Sequence, residues 1–442
     1  TVVSTTPLTP CAGSARQPPG INTCRPIMNL TLRIAFVHAW LLALTSLAYA
    51  RELPTVKPAE AGMSAPGLAK VDQAMEELLG KKKFSGAVVA IARHGKVVHF
   101  KSYGMMDRER GKPMTEDAIF RIYSMTKAIV TTGALMLEER GAYSLDDPVE
   151  KFIPAFRDLK AMKNGKPVAI RRKMTIRDLM LHTSGLSYGF VGDGPVARKY
   201  KDLKPTSRDG SMKEMVEKLA SIPLAFEPSR KWNYSVSTDV LGRLVEIWSG
   251  QKLEAFLEEK ILKPLDMRDT SFMVPGDKVN RFTANYAPGT LKLLDDPRQS
   301  KYLKPAGFSS GGGGLVSTTR DYLRFLQMIA NGGELHGRRF LTEKTVRLMT
   351  TNQLPRKLMP IGIGDVRTGV GFGLGFSVCV KASENWDPAG KAGEFGWGGA
   401  ASTHYWIHPE DKLVVVTMEQ AMPYSFSTEW AIKGLIYDAI EK

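Results

Sequence analysis

Cysteine, long apolar runs and clustered charge are all scarce in this chain of 442 residues. Only Cys11, Cys24 and Cys379 occur, which excludes a fold held together by several disulfides. Acidic residues are in the minority, with Asp+Glu 45 against Lys+Arg 61 and a net charge of +16. The basic residues are scattered and form no nucleic-acid motif, so we predict a basic surface and no nucleic-acid partner.

The first fifty residues have the composition of a sorting signal. Residues 1–27 are rich in Pro, Thr and Ser, which predicts a disordered leader or an artificial extension. The stretch 28–50 combines a basic start, an apolar run too short to span a bilayer comfortably, and the small residues of Ala48-Tyr49-Ala50. This pattern predicts a signal peptide cleaved after Ala50, with a single membrane anchor as the alternative. We therefore expect a secreted or periplasmic protein without stable membrane insertion after cleavage.

Strands at both ends of the remaining chain enclose a helical middle. The candidate strands pair into hairpins, 86–94 with 96–103 and 402–408 with Leu413–Glu419. This order predicts an α+β fold, in which an antiparallel sheet flanked by helices is built from both chain ends, 51–145 and 332–442. The mostly helical domain is inserted over 146–331. We expect the site in the cleft between the two domains.

One Ser-x-x-Lys pattern stands where an extended run turns into a predicted helix over 125–140. Ser124 points into the free N–H groups at the helix start, which favour negative charge. Lys127 lies on the same helix face, within reach of the Ser oxygen. A Ser hydroxyl becomes a nucleophile when a neighbouring base takes its proton, and an amine in apolar surroundings can do so. The alternative is an N-cap Ser with a solvated Lys.

Two later segments could complete a site. Tyr234-Ser235-Val236-Ser237 closes a loop before a predicted helix, and a phenol near cations can accept a hydroxyl proton. A core or turn Tyr is the alternative there. Gly396-Trp397-Gly398-Gly399-Ala400 precedes a predicted strand, and its glycines allow the backbone to lie close against a substrate.

In order and spacing, these motifs resemble those of the serine β-lactamase and penicillin-binding superfamily. The chain looks closest to the family VIII carboxylesterases, which are similar to class C β-lactamases. The resemblance covers residues 58–442 and includes the stretch 181–186 and the Gly-rich segment 311–315. It implies the β-lactamase/transpeptidase-like version of the predicted fold.

The resemblance also implies roles for individual residues. Ser124 would be the nucleophile, and Lys127 and Tyr234 would activate it and protonate the leaving group. The backbone N–H groups of Ser124 and Ala400 would form the oxyanion hole. The implied substrate-binding residues are Trp397, Gly398, Gly399, Tyr123 and Val236. No cofactor and no metal ion is implied.

Two departures from the β-lactamases favour neutral esters as substrates. Val236 stands where those enzymes carry an Asn that orients an amide. Trp397-Gly398-Gly399 replaces Lys-Thr-Gly, which removes a cation that holds the drug carboxylate. We therefore predict a serine carboxylesterase that hydrolyses short-chain acyl esters through an acyl-enzyme. Weak β-lactam hydrolysis, a β-lactamase or D-Ala-D-Ala peptidase, a non-catalytic ligand-binding homologue and the oligomeric state stay open.

Four other patterns are interpreted as structural. Ser249-Gly250-Gln251-Lys252 repeats the Ser-x-x-Lys spacing, but Gly250 breaks the helix between its ends. Ser309 lies in a Gly-x-Ser-x-Gly pattern that lacks the flanking strand and helix of a nucleophile elbow. Arg367-Thr368-Gly369 imitates Lys-Thr-Gly in what we predict to be a turn. His182 is interpreted as a hydrogen-bonded turn residue.

Overall fold

The computed structural model describes residues 52–441, so the predicted leader and signal peptide lie outside the described residues. Within this range the chain forms sixteen strands: β1 (Gly86–Arg93), β2 (Lys96–Asp107), β3 (Lys112–Pro113), β4 (Phe120–Arg121), β5 (Lys160–Lys163), β6 (Lys166–Ala169), β7 (Asn285–Tyr286), β8 (Leu293–Asp295), β9 (Val316–Ser317), β10 (Glu334–Leu335), β11 (Arg338–Arg339), β12 (Val370–Phe372), β13 (Ser377–Cys379), β14 (Phe395–Gly399), β15 (Thr403–His408) and β16 (Leu413–Glu419).

Helices alternate with these strands along the chain. Their bounds are α1 (Ala65–Gly80), α2 (Thr126–Glu138), α3 (Ile176–Met180), α4 (Pro195–Leu203), α5 (Met212–Ser221), α6 (Ser237–Ser249), α7 (Leu253–Leu257), α8 (Thr319–Ala330), α9 (Glu343–Thr350) and α10 (Ser427–Asp438). Among residues 52–441, no helix combines the length and the apolar composition needed to cross a bilayer.

Eight strands join into one antiparallel sheet, in the order β12-β13-β14-β15-β16-β1-β2-β3. Its centre pairs the two ends of the chain, since β1 runs beside β16 with Ile91 opposite Val415. Strand β1 is rich in buried Val and Ala, and β16 in buried Val, which suits strands covered on both faces. The predicted α+β fold, with a sheet built from both chain ends, is confirmed.

Helices cover both faces of the sheet. Successive side chains of a strand point to opposite faces, so each face has its own set of buried residues. Val89 and Ile91 face one side and join the core beneath α1 and α10. Val88 and Ala90 face the other side and join the core beneath α2 and α8. Each fully buried Val or Ile side chain of this kind stabilises the fold by about 1.5–3 kcal/mol. The start of α2 is therefore fixed against the sheet, and Ser124 lies there.

The helix predicted over 125–140 is observed as α2, and two other helical segments have features that the sequence did not indicate. Residues 253–262 are helical throughout, but the second half of this span is a π-helical turn, Glu258–Leu262. Helix α8 lies inside the range predicted for the inserted domain, yet it packs against β1 and β16 of the sheet. The exact limits of the two domains stay a prediction.

A buried carboxylate at the end of β16 makes stability depend on pH. Burial raises the pKa of Glu419 from the ordinary 4.5 to about 7, against the opposing effect of His404. The stability that Glu419 contributes is therefore complete below about pH 4.5 and is lost as the pH rises through about 7. We expect Glu419→Gln to raise the free energy of unfolding by up to about 3 kcal/mol near pH 8, with little change near pH 4.5.

Urea unfolding at the two pH values measures this effect. Glu410→Gln is the control, because Glu410 is an exposed carboxylate in the turn between β15 and β16. An equal gain for Glu419→Gln at both pH values would contradict the assignment.

Candidate active site

Ser124 lies in a tight turn that leads directly into α2. The turn is a 3-10 helix over Tyr123–Met125, and Tyr123 has a φ of +39°. This left-handed conformation costs a bulky L-residue on the order of 1–3 kcal/mol, so the surrounding structure must hold it. The Ile122 N–H donates to the Leu315 carbonyl at 3.2 Å, and Met125 is fully buried. The turn therefore presents the half-exposed Ser124 at the helix start, as predicted.

Lys127 is held by more partners than any other side chain of the candidate site and is only 3% exposed. Its Nζ donates to the Gly312 carbonyl at 2.6 Å, to the Tyr188 hydroxyl at 3.1 Å and to Ser124 Oγ at 3.3 Å. It also lies 4.6 Å from the centre of the Tyr234 ring. The predicted Ser–Lys contact is therefore present, and the hydrogen bonds to Gly312 and Tyr188 hold the amine in position.

The Gly-rich segment supplies the carbonyl that holds Lys127. Gly312 N–H donates to Asp239 Oδ1 at 3.0 Å, and Ser310 Oγ donates to the same oxygen at 2.6 Å. Burial raises the pKa of Asp239, while the Lys127 charge and these hydrogen bonds act in the opposite direction. A Cβ on Gly312 would collide with the Asp239 carboxylate, so only glycine permits this close approach.

Tyr234 lies beside Lys127, with its aromatic ring and not its hydroxyl next to the amine. Its hydroxyl accepts a hydrogen bond from Trp397 Nε1 at 3.4 Å, and the two ring centres are 5.3 Å apart. Within residues 52–441, no hydrogen bond joins the Tyr234 hydroxyl to Ser124 or to Lys127. Ser124 and Tyr234 thus both lie beside Lys127, and the Tyr234 hydroxyl is directed toward Trp397.

His182 supports the Tyr234 loop. Its ring centre lies 4.9 Å from that of Tyr234. Its Nδ1 shares a hydrogen bond of 3.1 Å with Ser235 Oγ, and 2.8 Å bonds extend this chain to Ser237 and Ser184. Burial lowers the pKa of His182 well below its usual value, and the Lys127 charge adds to this, so the ring is neutral. This environment agrees with the predicted turn residue.

The segment 396–400 contains a strand that the sequence interpretation missed. Strand β14 pairs with β15 although it holds three glycines. Glycine weakens a strand, but a Cβ on Gly399 would collide with the Ile122 carbonyl just before the Ser124 turn. The strand can therefore lie directly against that turn, and Ala400 follows at the same place.

The other predicted substrate-binding residues differ in accessibility. Tyr123 and Trp397 are half-buried and offer surface to a ligand. Gly398 is buried, and a Cβ there would collide with the Tyr424 hydroxyl. The Val236 side chain is only 1% exposed and belongs to the core.

Tyr188 is a candidate site residue that the sequence analysis missed. Its hydroxyl contacts Lys127 Nζ at 3.1 Å, and its ring centre lies 5.4 Å from that of Tyr234. Burial raises the pKa of Tyr188 well above its usual value, and the negative charge of Asp239 adds to this, so it is a neutral phenol. A single Tyr in a long loop has no sequence spacing that links it to Lys127.

Removing the Tyr188 hydroxyl tests its contact with Lys127. We expect Tyr188→Phe to lower kcat on a short-chain ester by about ten- to a hundredfold, because the amine loses one of its fixed acceptors. Tyr200→Phe is the matched control, since the Tyr200 hydroxyl accepts from Ser187 N–H on the same loop at 3.2 Å. Steady-state kinetics of both variants would reject the role of Tyr188 if they gave equal values of kcat.

The serine of the Gly-x-Ser-x-Gly pattern lacks the structural surroundings of a nucleophile. Ser309 Oγ donates to Glu254 Oε2 at 3.2 Å near the surface. A turn, Gly311–Gly313, follows it, so the helix of a nucleophile elbow is missing from this described segment. The second Ser-x-x-Lys copy is also separated, because Gly250 ends α6 with a φ of +70°.

Comparison with known proteins places this geometry among related enzymes. The profile of the family described as Beta-lactamase matches residues 71–434. Esterase EstB of Burkholderia gladioli is 33% identical over 367 residues, which cover 77% of this chain and 86% of EstB. The solved structure of EstCE1, described as a hydrolase with promiscuous acyltransferase activity, has a TM-score of 0.72 and 25% identity, covering 84% of this chain and 98% of EstCE1. A class C β-lactamase shares the fold with a TM-score of 0.65 at 16% identity, covering 86% of this chain and 98% of that one.

Proposed function

Because the chain belongs to the β-lactamase family and is a serine hydrolase of that fold, we propose that it is a carboxylesterase acting on short-chain acyl esters. The observation that carries this proposal is the position of Lys127 Nζ, 3.3 Å from Ser124 Oγ and held by the Gly312 carbonyl and the Tyr188 hydroxyl. The name of its relative EstB, an esterase, supports the same choice. Export by the signal peptide expected at 28–50 is part of the proposal.

The proposed reaction passes through an acyl-enzyme. Ser124 Oγ attacks the ester carbonyl carbon while its proton passes to the Lys127–Tyr234 pair. The carbonyl oxygen becomes an oxyanion that accepts from the N–H groups of Ser124 and Ala400. The pair then returns the proton to the departing alcohol, and the carbon–oxygen bond of the ester breaks. Water repeats the sequence on the acyl-enzyme and releases the acid.

Two features favour esters over β-lactams. Val236 is buried, so its position offers no polar group to orient a substrate amide. Trp397 donates from Nε1 to the Tyr234 hydroxyl, where a lysine would have offered a charge. An alkoxide leaves with less help from a proton donor than an amide nitrogen does. The site therefore suits ester cleavage.

A substrate panel tests the proposal. We expect kcat/KM on p-nitrophenyl butyrate to exceed that on nitrocefin by about a hundredfold or more. The opposite ratio would identify a β-lactamase or a D-Ala-D-Ala peptidase. A fluorophosphonate should add once to the protein, with Ser124 as the labelled residue in a peptide map. Absence of both turnover and adduct would identify a non-catalytic homologue.

A further inference from the structure

The hairpin formed by β5 and β6 carries a dense set of basic side chains. Residues 157–171 contain a single acidic residue, Asp158, against five basic ones. All five are exposed: Arg157, Lys160, Lys163, Lys166 and Arg171. The basic residues are thus more concentrated here than their scatter along the whole chain indicates.

Four of these charges lack an acidic partner in the protein. Within residues 52–441, no ion pair involves the side chains at 157, 160, 163 and 166, whereas the following Arg172 and Lys173 pair with Asp178 and Glu150. Arg171 is nearer to an acid, because its backbone N–H donates to Glu227 Oε1 at 2.8 Å. Carboxylates therefore stand at the base of the hairpin, and the charges along its strands face solvent.

Two of the lysines stand opposite each other. The strands run antiparallel, with Lys163 paired to Lys166 on either side of the turn. Like charges in this position destabilise a pair of strands. Residues two apart on a strand share a face, so Val168 lies on the same face as these two lysines, and it is 39% exposed. The hairpin therefore presents an apolar side chain beside uncompensated cations.

Protection of a free sheet edge explains only part of this composition. Strand β6 is the outer strand, since β5 pairs with β6 and also forms a parallel bridge with Leu224. Lysine and proline on an edge strand, here Lys166 and Pro167, prevent pairing with another chain. That need does not apply to Lys160 and Lys163, which belong to the inner strand. Their charges indicate an anionic partner.

We infer that this hairpin adsorbs the protein to the surface of a bilayer that contains anionic phospholipids. The negative potential of such a surface attracts clustered lysines, and each one adds about fivefold to the affinity. An exposed apolar side chain among cations, as at Val168, suits the layer of lipid head groups. A nucleic acid fits less well, because residues 157–171 contain no aromatic side chain on which a base could stack.

The inferred contact is peripheral and is independent of the proposed ester hydrolysis. It leaves the hairpin among the lipid head groups, so it agrees with the expected absence of stable membrane insertion. Ser124→Ala should bind vesicles as the wild type does. Loss of ester turnover and loss of adsorption are therefore observed separately.

Sedimentation with vesicles tests the inference. One set of vesicles contains phosphatidylglycerol and phosphatidylcholine in equal amounts, and the other contains phosphatidylcholine alone. At low ionic strength we expect the protein to bind the anionic vesicles about a hundredfold more tightly, and in about 1 M salt the difference should disappear. Equal binding to the two sets at low ionic strength would overturn the inference.

A triple variant assigns the binding to the hairpin. Lys160→Gln, Lys163→Gln and Lys166→Gln together should weaken binding to the anionic vesicles by about a hundredfold. The matched control, which removes the same charge from the turn between α1 and β1, changes three exposed lysines to Gln: Lys81, Lys82 and Lys83. It should bind within about threefold of the wild type. Equal losses in the two triple variants would show that net charge alone drives binding and would overturn the role of the hairpin.

Val168→Ser separates a bilayer from a soluble polyanion. Loss of the apolar side chain should weaken binding to the anionic vesicles by about three- to tenfold. Binding to long-chain polyphosphate should not change, because it depends on charge alone. Binding of the wild type to polyphosphate without binding to the anionic vesicles would overturn the bilayer as the partner. Far-UV circular dichroism checks that each variant is folded.

Discussion

Ser124→Ala is expected to lower kcat on p-nitrophenyl butyrate by about a thousandfold or more, because a nucleophile and its base act as a unit. The substitution removes the oxygen that Lys127 Nζ contacts at 3.3 Å and leaves the amine with its Gly312 and Tyr188 partners. The fold should therefore be unaffected. Steady-state kinetics and the loss of the fluorophosphonate adduct measure the effect.

Ser309→Ala is the matched control for this substitution. Ser309 belongs to the Gly-x-Ser-x-Gly pattern of the chain, and its hydroxyl donates to Glu254 near the surface. We expect Ser309→Ala to keep its turnover and its adduct. If Ser309→Ala abolished turnover while Ser124→Ala retained it, the nucleophile would have to be reassigned.

The sequence predicts best those contacts of the site that follow from local spacing. Ser124 and Lys127 are three residues apart at a helix start, so the geometry of one helical turn brings their side chains together. Tyr234 has no such local link to them, and only the resemblance to a known superfamily connected it to the pair. The structure places its ring centre 4.6 Å from Lys127 Nζ, while its hydroxyl accepts from Trp397 Nε1.

Prediction from the sequence fails where burial and close contacts between distant segments decide the structure. Strand β14 was missed because its glycines look like a turn, although the approach to the Ile122 carbonyl requires a residue without Cβ. Tyr188 was missed because its contact with Lys127 joins two distant segments. Arg367 was interpreted as part of a turn, since nothing in its neighbouring residues indicates that three aromatic rings surround it.

The position of Lys127 connects the fold to the proposed chemistry. Asp239, in the first turn of α6, fixes the Gly312 peptide, and that peptide presents its carbonyl to the amine. The strained Tyr123 sets the direction of Ser124. Local helical geometry brings Ser124 and Lys127 together, and the contact with 310–312 then fixes the amine in that position.

Lys127→Met should consequently lower kcat on the same ester by about a thousandfold or more, since methionine fills the space but offers no proton acceptor. Lys127→Arg should not restore activity, because a planar guanidinium cannot reproduce the bonds that a compact amine makes to three converging oxygens. The rate of fluorophosphonate labelling at Ser124 measures the activation of the nucleophile separately from substrate binding.

The second Ser-x-x-Lys copy supplies the control for Lys127. Lys252 follows Ser249 with the same spacing, but Gly250 ends α6 between them and Lys252 is exposed. The Lys252→Met variant should therefore react with the fluorophosphonate and hydrolyse the ester at the wild-type rates. If Lys127→Met kept more than about a tenth of the wild-type labelling rate, the amine would serve only to hold the Gly312 loop, and Tyr234 would be left as the proton acceptor.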